Sequence, residues 1–291
     1  MRRTFILIAF LALASSAAAQ DFSKVEVKSV KVGGNVYMLT GAGGNIAVLT
    51  GDDGVFMIDD QFAPLAPKIA EAIRVLSPKP VRFVLNTHYH MDHTGGNQFF
   101  GAQATIIAHD NVRKRLESGA KAFGRDFPPS PKAALPVITF DDRITLHLDG
   151  DDVRIIHYPD AHTDGDAIAY FPQSKVLHMG DEFFNGGYPI IDTENGGNVR
   201  GLIAAVDKTL PMIPDDVKII PGHGPLGDKA SLRAYGEMLE ATSAAVEKEL
   251  KAGKTAAQMK EANVLAPWNE TWGKSFVKAD RYIDELVASL Q

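Results

Sequence analysis

Apolar and polar positions change their period along this chain in a way that marks out its elements. Val25-Glu26-Val27-Lys28-Ser29-Val30 alternates apolar with polar, the pattern of a half-exposed strand. Short apolar runs follow at 36–39, 46–49 and 55–58. Between them lie Gly33-Gly34-Asn35, Gly41-Ala42-Gly43-Gly44-Asn45 and Gly51-Asp52-Asp53-Gly54, whose residues favour tight turns. In Pro64 to Leu76 the period becomes helical, with Ile69, Ala72, Ile73 and Leu76 on one face, and Ser77-Pro78 stops the helix. A strand at 81–86, a short helix at 96–100, a strand at 104–108 and a helix capped by Asp110 and running to about Ser118 form a βαβα stretch. Gly119 to Pro136, rich in Pro, Gly, Ala and Lys, reads as a long surface loop able to fold over a site. Strands are predicted again at 137–140, 143–148, 153–158, 167–171 and 176–179, then a helix at 199–210, a strand at 217–220 and a long helix at 229–251. Two helices, at 255–262 and 274–290, finish the chain. This order predicts an α/β fold of two packed sheets with helices outside, a four-layer αββα arrangement. No fixed-period repeat or long linker divides residues 21–291, which are expected to form one domain.

The first twenty residues follow another pattern. Arg2 and Arg3 precede an apolar run from Phe5 to Leu13, and Ala17-Ala18-Ala19 stands before Gln20. This predicts a secretory signal peptide over residues 1–20, too short an apolar run for a membrane span. The mature protein is then expected to begin near Gln20 or Asp21 and to be periplasmic or secreted, with no membrane attachment after cleavage. The absence of cysteine among 291 residues excludes disulfides, a thiol nucleophile, a thiolate-ligated zinc site and a lipoprotein anchor. A net charge of -6 argues against a nucleic-acid partner. A small-molecule substrate is expected, with no obligate protein partner.

The residues that carry chemistry gather at Thr87-His88-Tyr89-His90-Met91-Asp92-His93-Thr94-Gly95-Gly96, directly after the strand at 81–86. Positions two apart in an extended loop point the same way, so His88 and His90 can converge on one ion while Asp92 and His93 turn toward a second. Imidazole with carboxylate suits zinc, and less selectively iron or manganese. Three further residues stand just after strands and beside glycine: His162, Asp181 in Gly180-Asp181, and His223 in Pro221-Gly222-His223-Gly224. Their shared position can bring them to the first cluster at one edge of the sheets. His109, His147, His157 and His178 lack this setting and are expected to be structural or surface residues.

The set His88, His90, Asp92, His93, His162, Asp181 and His223 resembles the metallo-β-lactamase superfamily, in order and spacing, over nearly the whole mature chain. The resemblance implies the αββα sandwich and a dinuclear site, with two Zn2+. His88, His90 and His162 would bind the first ion, and Asp92, His93 and His223 the second. Asp181 would bridge them, and Asp59 (or alternatively Asp60) would hold the ligand loop. It further implies a metal-dependent hydrolase, in which a hydroxide shared by the two ions attacks a carbonyl and Asp92 orients it and passes a proton. Asp181 stands where the Cys-ligated β-lactamases have Cys, and together with His93 it matches the glyoxalase-II-like and lactonase-like pattern. The segment from Ile219 to Asp228 looks similar to the β-lactamases instead. A small amide, ester, lactone or thioester is thus the implied substrate, with β-lactam opening included. The alternatives are an iron-dependent sulfur dioxygenase-type redox enzyme and a metal-binding accessory protein without turnover. Loops expected over the site are 36–45, 119–136 and 182–197, the last carrying Phe183, Phe184, Tyr188 and Pro189 as an apolar wall or as its own packing.

Overall fold

A computed structural model describes residues 21–291, so the expected leader lies outside the described residues. The first sheet begins with the antiparallel strands β1 (Lys28–Gly33), β2 (Val36–Thr40), β3 (Ile46–Gly51) and β4 (Gly54–Ile58). Helix α1 (Ala66–Leu76) leads to β5 (Val81–Leu85). Helices α2 (Met91–Thr94) and α3 (Asn97–Phe100) lead to β6 (Thr105–His109). After α4 (Asp110–Ser118) and a hairpin of β7 (Ala120–Ala122) with β8 (Arg125–Phe127), β9 (Ile138–Phe140) ends the sheet. The pairs β4–β5, β5–β6 and β6–β9 are parallel, as strands joined through helical crossovers must be.

The second sheet runs β10 (Arg143–Leu148), β11 (Asp151–His157), β12 (Ala167–Phe171), β13 (Val176–His178), β14 (Lys218–Ile220) and β15 (Gly227–Asp228). All its pairs are antiparallel except β13–β14, which α5 (Val199–Thr209) connects. Helices α6 (Lys229–Lys251), α7 (Ala256–Glu261), α8 (Ala266–Trp272) and α9 (Ala279–Leu290) follow.

The uniformly apolar strands divide their side chains between two cores, because successive residues point to opposite faces. In β3, Ala47 and Leu49 face the second sheet, while Ile46 and Val48 face α1 with Leu65, Ile69 and Ile73. In β12, Ala169 and Phe171 meet Phe56 and Ile58 of the first sheet, whereas Ile168 and Tyr170 pack under α5, α6 and α9. The central strands β3, β4, β12 and β13 are thus covered on both faces, which is why they read as runs rather than alternations, whereas β10 at the edge alternates. Full burial of one such side chain contributes on the order of 1.5–3 kcal/mol.

Several boundaries differ from the sequence reading. The first strand begins at Lys28, not Val25, because Lys68 Nζ binds the carbonyls of Phe22, Ser23 and Val25 and holds that segment against α1. His109 rather than Asp110 caps α4, its ring accepting from Asn111 N at 3.2 Å. Residues 119–136 are not all loop but contain the β7–β8 hairpin. The expected final helix at 274–290 is shorter, starting at Ala279, and α8 precedes it.

Candidate metal centre

Every candidate ligand leaves the carboxyl end of a strand. Asp59 follows β4, residues 88–93 follow β5, His162 follows β11, Asp181 follows β13 and His223 follows β14. Side chains from both sheets therefore meet at one edge of the sandwich. They form two adjoining groups, His88 with His90, His162 and Asp181, and Asp92 with His93 and His223, the donor atoms of each lying within 4.8 Å of one another. Asp181 reaches both: Oδ2 lies 3.5 Å from His162 Nε2, and Oδ1 lies 3.1 Å from His93 Nε2 and 3.4 Å from His223 Nε2. All seven predicted ligands are thus brought together.

The far nitrogen of each histidine in the first group is occupied, which leaves the near one facing inward. Thr87 Oγ1 lies 3.1 Å from His88 Nδ1, Asp192 Oδ2 lies 2.9 Å from His90 Nε2, and the Ile190 carbonyl lies 2.8 Å from His162 Nδ1. In the second group, Asp59 Oδ2 takes His93 Nδ1 at 2.7 Å. Asp59 also accepts from Thr87 N and Thr87 Oγ1, each at 2.8 Å, so it fixes both the ligand loop and one ligand. The Asp60 carboxylate instead accepts from Gly96 N at 2.8 Å, and the Asp60 backbone N–H donates to the His93 carbonyl at 2.9 Å, so it meets the ligand loop through backbone rather than a ligand ring. This hydrogen-bond pattern is that of metal-ligating imidazoles.

The inward-facing atoms fit cations better than one another. Among the described residues, His88 Nε2 is buried without a hydrogen-bond partner, and Asp181 Oδ1 meets His93 Nε2 and His223 Nε2. His90 Nδ1 and His162 Nε2 face each other at 2.9 Å, while the other nitrogen of each ring is already hydrogen-bonded. The donor set of imidazoles and carboxylates suits divalent zinc, iron or manganese. Burial pulls His162 down to about 4 and His88 well below its ordinary value, so both are neutral as ligands must be. Burial raises the Asp92 carboxyl, but His93 and His223 outweigh it and hold it at about 2. Burial lowers His223, yet Asp181 and Asp92 hold it at about 9, and His93 is likewise held up by Asp181, Asp92 and Asp59. Protons on those two rings balance the carboxylates, and a bound cation would displace them.

Close glycines make the approach possible. A Cβ on Gly222 would overlap Asp181 Oδ1 and the Gly180 backbone, and one on Gly44 would overlap the His93 ring. The site opens at Asp92, whose side chain is 25% exposed, and His223, at 15%.

Some functional neighbours escaped the sequence reading. Asp192 binds Tyr89 as well as His90, but it lies a hundred residues from them in a segment without regular structure, and no local pattern marks it. Phe276, from the turn before α9, places its ring 5.3 Å from His223. Of the aromatic loop residues, Phe184 stacks on His223 at 5.1 Å, whereas Phe183 and Tyr188 are fully buried against Tyr235 and Tyr282. His178 is buried against the Asn45 carbonyl at 3.0 Å, His109 and His157 stack at 3.7 Å, and His147 is an exposed partner of Asp152.

A family model described as the metallo-beta-lactamase superfamily matches residues 39–235, and the chain belongs to that superfamily. Among curated relatives it is 29% identical over 234 residues to the 2,4-dinitroanisole O-demethylase subunit alpha of Nocardioides sp., covering 76% of this chain and 65% of that one. It is 33% identical over 145 residues to the hydroxyacylglutathione hydrolase of Polaromonas sp., covering 48% and 47%. The chain thus spans about half to two thirds of the length of these relatives. Its fold matches the metallo-beta-lactamase from Pontibacter korlensis with a TM-score of 0.62 at 18% identity, covering 74% of this chain and 99% of that one. A double mutant of the sec-alkyl sulfatase PisA1 matches with a TM-score of 0.65 at 17% identity, covering 91% and 50%.

Proposed function

We propose that the protein is an exported, dinuclear zinc hydrolase that cleaves the acyl C–N, C–O or C–S bond of a small amide, ester, lactone or thioester. The observation that carries this reading is Asp181, whose two carboxylate oxygens face the two groups separately. Its single domain would span residues 21–291, with Asp92, His93 and His223 on one ion, His88, His90 and His162 on the other, and Asp181 between. Two divalent cations held there would polarise a carbonyl oxygen and acidify a water.

The chain's own residues supply the rest. Asp92 is the most exposed of the set, so its carboxylate can orient an attacking water and pass that water's proton to the leaving group. Asp59, Asp192, Thr87 and the Ile190 carbonyl hold the rings in place. Phe184 shields the His223 side from water. A cavity of about 470 Å3 beside His90, lined by Phe62, Met91, Phe127 and Pro129 among others, is of a size for a small organic molecule.

A chelator-controlled panel of a cephalosporin, a lactone, a glutathione thioester and 2,4-dinitroanisole tests the reading. The last is included because one relative is named for its demethylation. Turnover that chelator removes and zinc restores supports a hydrolase. Activity with iron alone favours the redox alternative, and no turnover of any member by the zinc-loaded protein refutes the proposal.

A further inference from the structure

Two exposed phenylalanines flank the metal centre, and the fold does not account for either. Phe123 and Gly124 form the two-residue turn of the β7–β8 hairpin, closed by the Ala122–Arg125 pair. Both have positive φ, +53° and +70°, the backbone that Asn-Gly adopts at least cost. A bulky residue in this region is an outlier because its Cβ crowds the following carbonyl. The residue is nevertheless 42% exposed, so burial does not offset the strain. What the ring touches is the site: it lies 5.2 Å from the His90 ring, and the Arg281 guanidinium of α9 sits over it at 5.0 Å. Arg281 is fixed to Glu285 at 2.7 Å, and Glu285 accepts from Ile191 N at 2.9 Å, next to the Ile190 carbonyl that holds His162. Helix α9 therefore braces both the hairpin tip and the first histidine group. Backbone strain of this kind, held by the surrounding structure beside a site, points to use.

Phe276 stands on the other flank. It is 55% exposed, 5.3 Å from His223 and 6.0 Å from Phe184. Phe276 itself, and Arg281 that holds Phe123, come after residue 235, where the match to the family model ends. The cavity of about 520 Å3 next to Phe123 is lined by Asp192, Glu194, Asp284 and Glu285, with Arg281 already paired, so its charge disfavours an anionic ligand.

We propose that Phe123 and Phe276 are the walls of a binding site for an uncharged aromatic group carried by the substrate beside the bond that is cleaved. The cleavage rests on the hydrolase reading above; the aromatic contact does not. Calorimetry on the zinc-loaded chain, with phenylacetone and 2-octanone as uncleavable probes, tests the contact. Kinetics with methyl phenylacetate and methyl hexanoate tests its use. The variants are Phe123→Asn, which keeps a residue the turn favours, and Phe276→Ala. Wild type is expected to bind phenylacetone more tightly than 2-octanone, and para-carboxylation of the probe to weaken it. Each variant is expected to weaken phenylacetone roughly threefold to tenfold, through lost ring contacts, with 2-octanone and zinc content unchanged. The KM for the aryl ester should rise by the same factor with kcat retained. Equal affinity for the two ketones, no binding of either, or no change in either variant would overturn the proposal. If phenylacetone binds and weakens in the variants while no ester is turned over, the hydrolase reading fails and the aromatic site stands.

Discussion

Replacing Asp192 by Asn should weaken one ion site and spare the other. Its carboxylate gathers donors from His90 Nε2 at 2.9 Å, Tyr89 Oη at 2.5 Å and Asn195 Nδ2 at 2.8 and 2.9 Å. An amide would turn one NH2 toward these donors, so the His90 ring loses the partner that keeps Nδ1 inward. A hydrogen bond to a charged group contributes about 1.5–3 kcal/mol net. Loss of a ligand-orienting partner lowers metal affinity about 10- to 100-fold, or about 1.4–2.7 kcal/mol, so the two figures agree. The expected result of a zinc titration against a competing chelator is a wild-type-like step and a second step weakened by about that factor. Asp59→Asn should do the reverse, since Asp59 holds His93 of the other group. Two unchanged steps in Asp192→Asn, or equal weakening of both, would refute the assignment of His90 and its buttress to one ion.

Gly222→Ala should reduce metal content, because the added methyl overlaps the Asp181 carboxylate and Gly180 backbone; elemental analysis against retained far-ultraviolet dichroism checks it. The metal-free protein should lose stability on acidification from pH 6.5 toward 4, as His162, lowered to about 4, must be protonated in the unfolded state first. That loss is on the order of 3 kcal/mol at the acid end. His223, raised to about 9, contributes stability that is full below 6.5 and lost as pH rises toward 9. Urea midpoints of the chelated protein across this range should therefore fall on both sides of pH 6.5. Phe171→Ala should cost about 3–5 kcal/mol in urea unfolding, because the ring is fully buried between the sheets beside Phe56.

The candidate ligands were legible because each sits directly after an apolar run, at a strand's carboxyl end, where a local pattern fixes its place. The sandwich followed from runs such as Ile46 to Leu49, whose uniform apolarity means burial on both faces. Asp192 and Phe276 were not legible, since their roles come from contacts across the fold rather than from spacing. The hairpin at 120–127 was hidden by its turn residue, as Phe-Gly carries none of the usual Asn-Gly signal. The first strand was misplaced by three residues because the alternation at Val25 reflects packing on α1, which the Lys68 ammonium fixes.

Two ions that share Asp181 would set the metal content of the chain at two. Native mass spectrometry of the zinc-loaded chain should give two ions per chain in the wild type and fewer than two in Asp181→Asn. A wild type that binds one ion or none, or an Asp181→Asn variant that still binds two with unchanged affinity, would contradict it.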